Sequence, residues 1–293
     1  MPLWTVEKLS QLRAWYDASD AATITESGGL ISAWNDKSGG GYHVSASGSA
    51  RPTYTSSGLN SKSVVTFGGT QFLVAATASH WVFLHDTTGS TILAVWKAGN
   101  VSNPDAGHGL LGTAANSGSR GLQITYDDRS SASRNDQLRS FVYRSTVTAG
   151  LVSSVFTADG AHAANTATLI SVASDPGNAT VGSRQGLRIN GGAETANNAS
   201  TSTADTGNPL NPLSIGSAGI GSGGTHQLPM VGYAAEIVIC NAKISDQNRQ
   251  LTEGYLAWKW GLEGNLPSDH PYKNAAPTYG DNRRRQYAGA YGL

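Results

Sequence analysis

Short runs of apolar or alternating residues, each closed by Gly, Asn, Asp or Pro, recur along almost the whole chain. They fall at 63–69 (SVVTFGG), 90–99, 109–114, 121–128, 138–145, 151–159, 167–174, 186–192, 212–218 and 231–240. Each is too short for a buried helix, and the intervals match strands laid side by side in stacked sheets. The pattern predicts an all-β chain, a sandwich of stacked sheets with few helices. Asn190-Gly191, after the run GLRI, predicts a tight hairpin turn, because both residues tolerate positive φ. No repeat of fixed period is present, which excludes a solenoid or propeller reading.

Two segments break the strand rhythm. Residues 5–12 predict a short N-terminal helix with Thr5 as its cap. Near the other end, LTEGYLAWKWGLEGNLPSDHPYK (251–273) packs Tyr255, Trp258 and Trp260 into six residues. Ser245 and Asp246 suit a helix start, Gly261 suits a left-handed stop, and Pro267 bars continuation. Leu251, Tyr255, Trp258 and Leu262 recur at helical spacing, so a closing helix at about 246–260 is expected to bury Tyr255 and Trp258. Trp260, off that stripe, is expected to be partly exposed. The competing reading is a ligand platform, and it returns if Trp258 stands in solvent beside a groove.

The charge balance narrows the function classes. The 293 residues carry 20 Lys+Arg and 20 Asp+Glu, so nothing in the overall charge favours nucleic acid or an anionic membrane. The single cysteine, Cys240, lies in the apolar run AAEIVIC and reads as a buried small side chain. The N-terminus lacks the basic-then-apolar layout of a secretory signal, which predicts synthesis in the cytoplasm. Polar, nearly uncharged segments at 100–109 and 193–208 read as exposed loops.

Local catalytic signatures are sparse. Polysaccharide hydrolysis on a sandwich is served well by acids alternating on one strand, yet none of the six Glu has a second acid two residues away. The chain has no HExxH, no GxSxG and no phosphate-loop lysine. Asp17, Asp20 and Asp36 offer oxygen ligands for Ca²⁺, but the twelve-residue Ca²⁺ loop is missing, and turn capping is the plainer role. Trp15, Trp34, Trp81 and Trp96 would stack on sugars if exposed, but on strands they read as core. The tail 274–293 carries Arg283, Arg284 and Arg285 beside Tyr287 and Tyr291 and reads as an arm docking on a partner.

Several segments resemble a known family. In 12–47, Trp15, Asp17, Ala18, Ser19 and Asp20 are followed by Trp34, Asp36, Ser38, Gly39 and Gly41. This is similar to the opening of bacterial and phage proteins with a concanavalin A-like (laminin-G-like) jelly roll. Residues 51–73, with their Phe-x-Gly strand, and 231–273, ending in His-Pro-Tyr, resemble later segments of that family. The resemblance implies a two-sheet antiparallel jelly-roll sandwich over 1–273. It does not imply an activity, because such folds host lectins, hydrolases and adhesion modules alike.

The resulting expectation is a non-enzymatic phage structural protein, a capsid decoration or tail-associated module. Its partners would be other virion proteins and copies of itself, it would reside in the virion, and it would need no cofactor beyond a possible Ca²⁺. The alternative is a carbohydrate-binding recognition or adhesion module contacting a surface glycan. A polysaccharide-degrading enzyme ranks third.

Overall fold

The computed structural model describes residues 2–99, 107–114, 119–129, 134–144, 150–196, 202–221 and 224–281. Its strands, in chain order, begin with β1 (Leu12–Asp17), β2 (Ile24–Ser27), β3 (Leu30–Trp34), β4 (Val44–Ser45), β5 (Thr53–Leu59), β6 (Lys62–Gly68) and β7 (Leu73–Ala75). The middle of the chain supplies β8 (Ser90–Ala98), β9 (His108–Gly112), β10 (Gly121–Arg129), β11 (Arg134–Tyr143), β12 (Leu151–Phe156), β13 (Thr168–Ser174) and β14 (Gln185–Ile189). The last strands are β15 (Thr195–Ala196), β16 (Ser214–Ile215), β17 (Gly219–Ile220), β18 (His226–Gln227) and β19 (Val231–Cys240).

All pairings between these strands are antiparallel, and a small β17–β18 ribbon stands apart from one large sheet. One arm of that sheet runs β15-β14-β13-β8-β19 and continues to β6 and β5. The other runs β3-β4-β7-β16-β9-β10-β11-β12. Among the described residues a single strand pair, Leu30↔Thr53, joins them. The sheet nearly closes on itself, since Gln185 of β14 donates to the Ser140 hydroxyl of β11 at 2.7 Å. The Asn190-Gly191 turn has positive φ at both residues and links β14 to β15.

Two apolar clusters explain why β8 and β19 are hydrophobic on both faces. Ile92, Ala94 and Trp96 of β8 join Ala234, Ile237 and Ile239 of β19 in the cluster inside the curved sheet. Leu93, Val95, Tyr233, Val238 and Cys240 point the other way, into a second cluster. That second cluster is roofed by the helix α1 (Asp246–Trp260) and by the N-terminal segment. The helix is capped as its sequence demands: the Ser245 hydroxyl accepts from Asn248 N–H, and Gly261 is left-handed at φ 72°. The expected helix at 5–12 is instead one 3-10 turn, Val6–Lys8, with no side-chain bond from Thr5. Leu12 already belongs to β1, whose pairing with β19 outcompetes a second helical turn.

An irregularity in β19 decides where one acidic side chain goes. Ala234 pairs with Trp96 and Glu236 with Val95, so Ala235 is an extra residue in the strand. This bulge reverses the alternation and brings Glu236 to the helix side rather than into the apolar interior. The freed Ala235 carbonyl accepts from Ala18 N–H at 3.0 Å.

Candidate functional site

The helix presents its aromatic residues in the opposite sense to the expected stripe. Trp260 is fully buried, while Trp258 is 36% exposed and Tyr255 is half-buried. The buried positions Arg249, Glu253, Leu256 and Trp260 share the helical period of the expected stripe but a different phase. Two of them are charged, so counting apolar residues does not find them. Arg249 reaches Glu253 at 2.6 Å, and Ser171 donates to the same carboxylate at 2.7 Å. His270 Nε2 lies 3.3 Å from it. Burial pushes the Glu253 carboxyl up, but the bonds from His270, Arg249 and Ser171 outweigh that and hold it below the usual range.

Trp258 lies on one wall of a cavity of about 350 Å³. Tyr255, Trp258 and Lys259 form the helix wall; Trp4, Thr5 and Pro277 face them, with Leu3 and Ala276 completing the lining. The facing wall is built from both ends of the described chain. Leu3 bridges Thr278, Trp4 N–H donates to the Pro277 carbonyl at 2.9 Å, and Tyr279 N–H donates to the Pro2 carbonyl at 3.1 Å. Trp258 is held by its edge, because its indole N–H donates to the Tyr272 carbonyl at 2.8 Å. Tyr272 comes close enough only because residue 254 is glycine: a Cβ there would meet the Tyr272 Cβ at 2.6 Å. Trp4 packs edge-on against Tyr255 with centroids 6.0 Å apart, and its indole N–H is buried without a hydrogen-bond partner.

Behind this cavity sits a polar cluster. Glu236 accepts from Trp15 and Trp260 indole N–H groups, both at 2.7 Å, and from the Tyr255 hydroxyl at 3.2 Å. Lys259 spans Glu236 at 2.7 Å and Asp17 at 2.8 Å, and Lys37 holds Asp17 at 3.0 Å and Asp20 at 2.8 Å. Asp17 and Glu236 are cross-strand partners on β1 and β19, so the lysine separates two acids that would otherwise repel. Burial raises the Glu236 carboxyl, with Asp17 adding to the shift against the pull of Lys259. Asp17 goes the other way: burial opposes its ionisation, yet Lys259, Ser19 and Lys37 bring it below the usual range.

This pair of acids, assembled from distant strands, is what a dispersed hydrolytic site would need, but both side chains are sealed and fully engaged. Glu236 is 0% exposed and Asp17 3%. The Ca²⁺ candidates are likewise committed. Asp17 and Asp20 bind lysines, and Asp36 accepts from Trp15 and Ser38 N–H, Tyr42 N–H and the Ser38 hydroxyl. Among the described residues no group of three or more His, Cys, Asp or Glu converges as metal ligands. Trp15, Trp34, Trp81 and Trp96 are buried. Cys240 is buried and its thiol is pushed up to about 12 by that burial. Arg283, Arg284, Arg285, Tyr287 and Tyr291 lie outside the described residues, as do 100–106 of the first expected loop and 197–201 of the second. No described helix is long and apolar enough to cross a membrane.

Leu3, Trp4, Thr5 and Pro277 carried no signal in the sequence, because they meet only when the two ends of the chain pair. No family model matches the chain, and no curated protein matches it. Solved structures do. A Trypanosoma rangeli sialidase in complex with sialic acid aligns over 88% of this chain and 36% of its own, at 12% identity and a TM-score of 0.53. Domain 4 of AbnA, a GH43 extracellular arabinanase from Geobacillus stearothermophilus in complex with arabinotriose, aligns over 80% of this chain and 94% of its own. Its identity is 12% and its TM-score 0.48. The Ruminococcus gnavus IT-sialidase CBM40 bound to α2,3 sialyllactose covers 56% and 80% at 14% identity and a TM-score of 0.40. The chain spans about a third of the sialidase's length. At 12% identity the likeness to the sialidase is one of fold alone.

Proposed function

We propose that this protein is a non-enzymatic carbohydrate-binding module and that the Trp258 groove is its sugar site. The observation that carries the reading is Trp258 itself. It is a large aromatic held by its edge, more than a third exposed, in a concave apolar cavity of a size that suits one or two sugar rings. Aromatic faces pack against the C–H face of a pyranose, and the Thr5 hydroxyl on the opposite wall is already paired with the Tyr279 hydroxyl at 3.3 Å. The likeness of fold to a sialidase solved in complex with sialic acid adds support. The sealed Asp17–Glu236 pair supports binding over hydrolysis. The virion reading draws on the resemblance to phage proteins and on the arginine-tyrosine residues of the arm, which lie outside the described residues, and none of the three solved structures above bears on it.

Titration of a panel of oligosaccharides, followed by calorimetry and tryptophan fluorescence, tests the proposal. At least one glycan is expected to bind, and Trp258→Ala is expected to weaken it tenfold or more with the circular dichroism spectrum unchanged. Binding that survives Trp258→Ala at full strength would move the site elsewhere. Absence of any glycan binding at millimolar concentration would reject the function.

A further inference from the structure

The charge around the groove narrows the class of sugar it accepts. Among the described residues Lys259 is the one cation in the lining, and its ammonium lies 2.8 Å from Asp17 and 2.7 Å from Glu236. The next cation inward, Lys37, is bound by Asp17 and Asp20. Two lysines therefore face three carboxyl groups. Even with Glu236 protonated, as its raised pKa favours, the cluster carries no net positive charge. No described arginine lines the cavity, so the forked donor that suits a carboxylate is missing from these walls. The remaining walls are aromatic, aliphatic or proline, with hydroxyls on Thr5 and Tyr255 that already pair with Tyr279 and Glu236.

We infer that the groove binds uncharged sugars and discriminates against sugars bearing a carboxylate, such as sialic acid. An anionic ring entering the groove would lose water without gaining a free counter-ion, whereas a neutral pyranose loses only hydroxyl hydration and gains the Trp258 and Tyr255 faces. The inference rests on the carbohydrate reading proposed for this groove and separates it from the sialic acid named with the sialidase structure, despite the common architecture. It also assigns Lys259 a structural role, tying α1 to β1 and β19, rather than a ligand-capturing one.

The experiment compares neutral oligosaccharides with their sialylated counterparts on the full chain, at about 20 mM and about 500 mM salt. Neutral glycans are expected to bind at least tenfold more tightly than the sialylated forms, with less than a twofold change across the salt range. Thr5→Lys, which places an unpaired cation on the facing wall, is expected to raise affinity for the sialylated form severalfold and to make it salt-sensitive. Equal or tighter sialylated binding by the wild-type protein overturns the selectivity and leaves the carbohydrate function standing. A Thr5→Lys protein that keeps neutral binding but gains nothing for the anion overturns the charge explanation. Failure of both ligand classes removes the carbohydrate function and this inference together.

Discussion

Trp258 and Trp260 stand two residues apart on one helix and serve different ends. Trp260 is fully buried, and its indole N–H is bonded to Glu236. Trp258 has its N–H tied to Tyr272 and its ring on the wall of a cavity. The inner face of α1 is held by Arg249–Glu253 and by apolar packing; the outer face joins the two chain ends to make a groove. The contrast shows that aromatic residue type alone does not decide between core and site. What decides is the phase of the helix, and here a buried ion pair sets that phase.

Substitutions that treat the two faces differently sharpen this contrast. Trp260→Ala leaves a large cavity and removes a donor from Glu236, so unfolding free energy should fall by about 3–5 kcal/mol in denaturant titration. Trp258→Ala should cost only about 1 kcal/mol by the same measurement, one hydrogen bond and half-exposed packing. Equal losses at the two positions would erase the distinction between the faces. On the inner face, Glu253→Leu alone leaves Arg249 only its surface partner, Asp246 at 3.0 Å, and should cost about 3 kcal/mol. The double change Arg249→Leu with Glu253→Leu should recover most of that loss. If it does not, the pair does more than neutralise itself.

A finer test uses pH, because the two buried glutamates shift in opposite directions. The depressed pKa of Glu253 gives stability that is present above the unfolded carboxylate value of about 4.3 and lost as pH falls through the folded value. Glu236 is raised, so its contribution is greatest below about 4.3 and is lost as pH rises through its folded pKa. Relative to wild type, Glu253→Gln should therefore become more destabilising as pH rises from acid to neutral. Glu236→Gln should become less so. Parallel slopes for the two variants would show that one of these directions is wrong.

Much of the fold was legible in the residues. The alternation in 90–99 and 231–240 gives the two central strands, Asn190-Gly191 gives its hairpin, and Ser245 and Gly261 bracket the helix. Of the site, the Tyr255 and Trp258 wall was legible as the competing ligand-platform reading; the rest was not, for three physical reasons. Arg249 and Glu253 are buried as a pair, which hydrophobic periodicity reads as surface. The bulge at Ala235 places Glu236 by inserting one residue, and local composition does not mark it. The groove's facing wall unites residues near 3 and near 277, a separation that no spacing rule spans.

The pairing of Leu3 with Thr278 has a practical side for anyone who handles the protein. Pro2 is the chain neighbour of Leu3, which lines the groove. A purification tag or reporter fused to the N-terminus starts within two residues of Leu3 in the groove lining, where it competes for the space a ligand would fill. Binding measured on a tagged protein therefore understates affinity until the tag is cut away, whereas an internal label on an exposed turn such as Gly28-Gly29 leaves both termini unaltered.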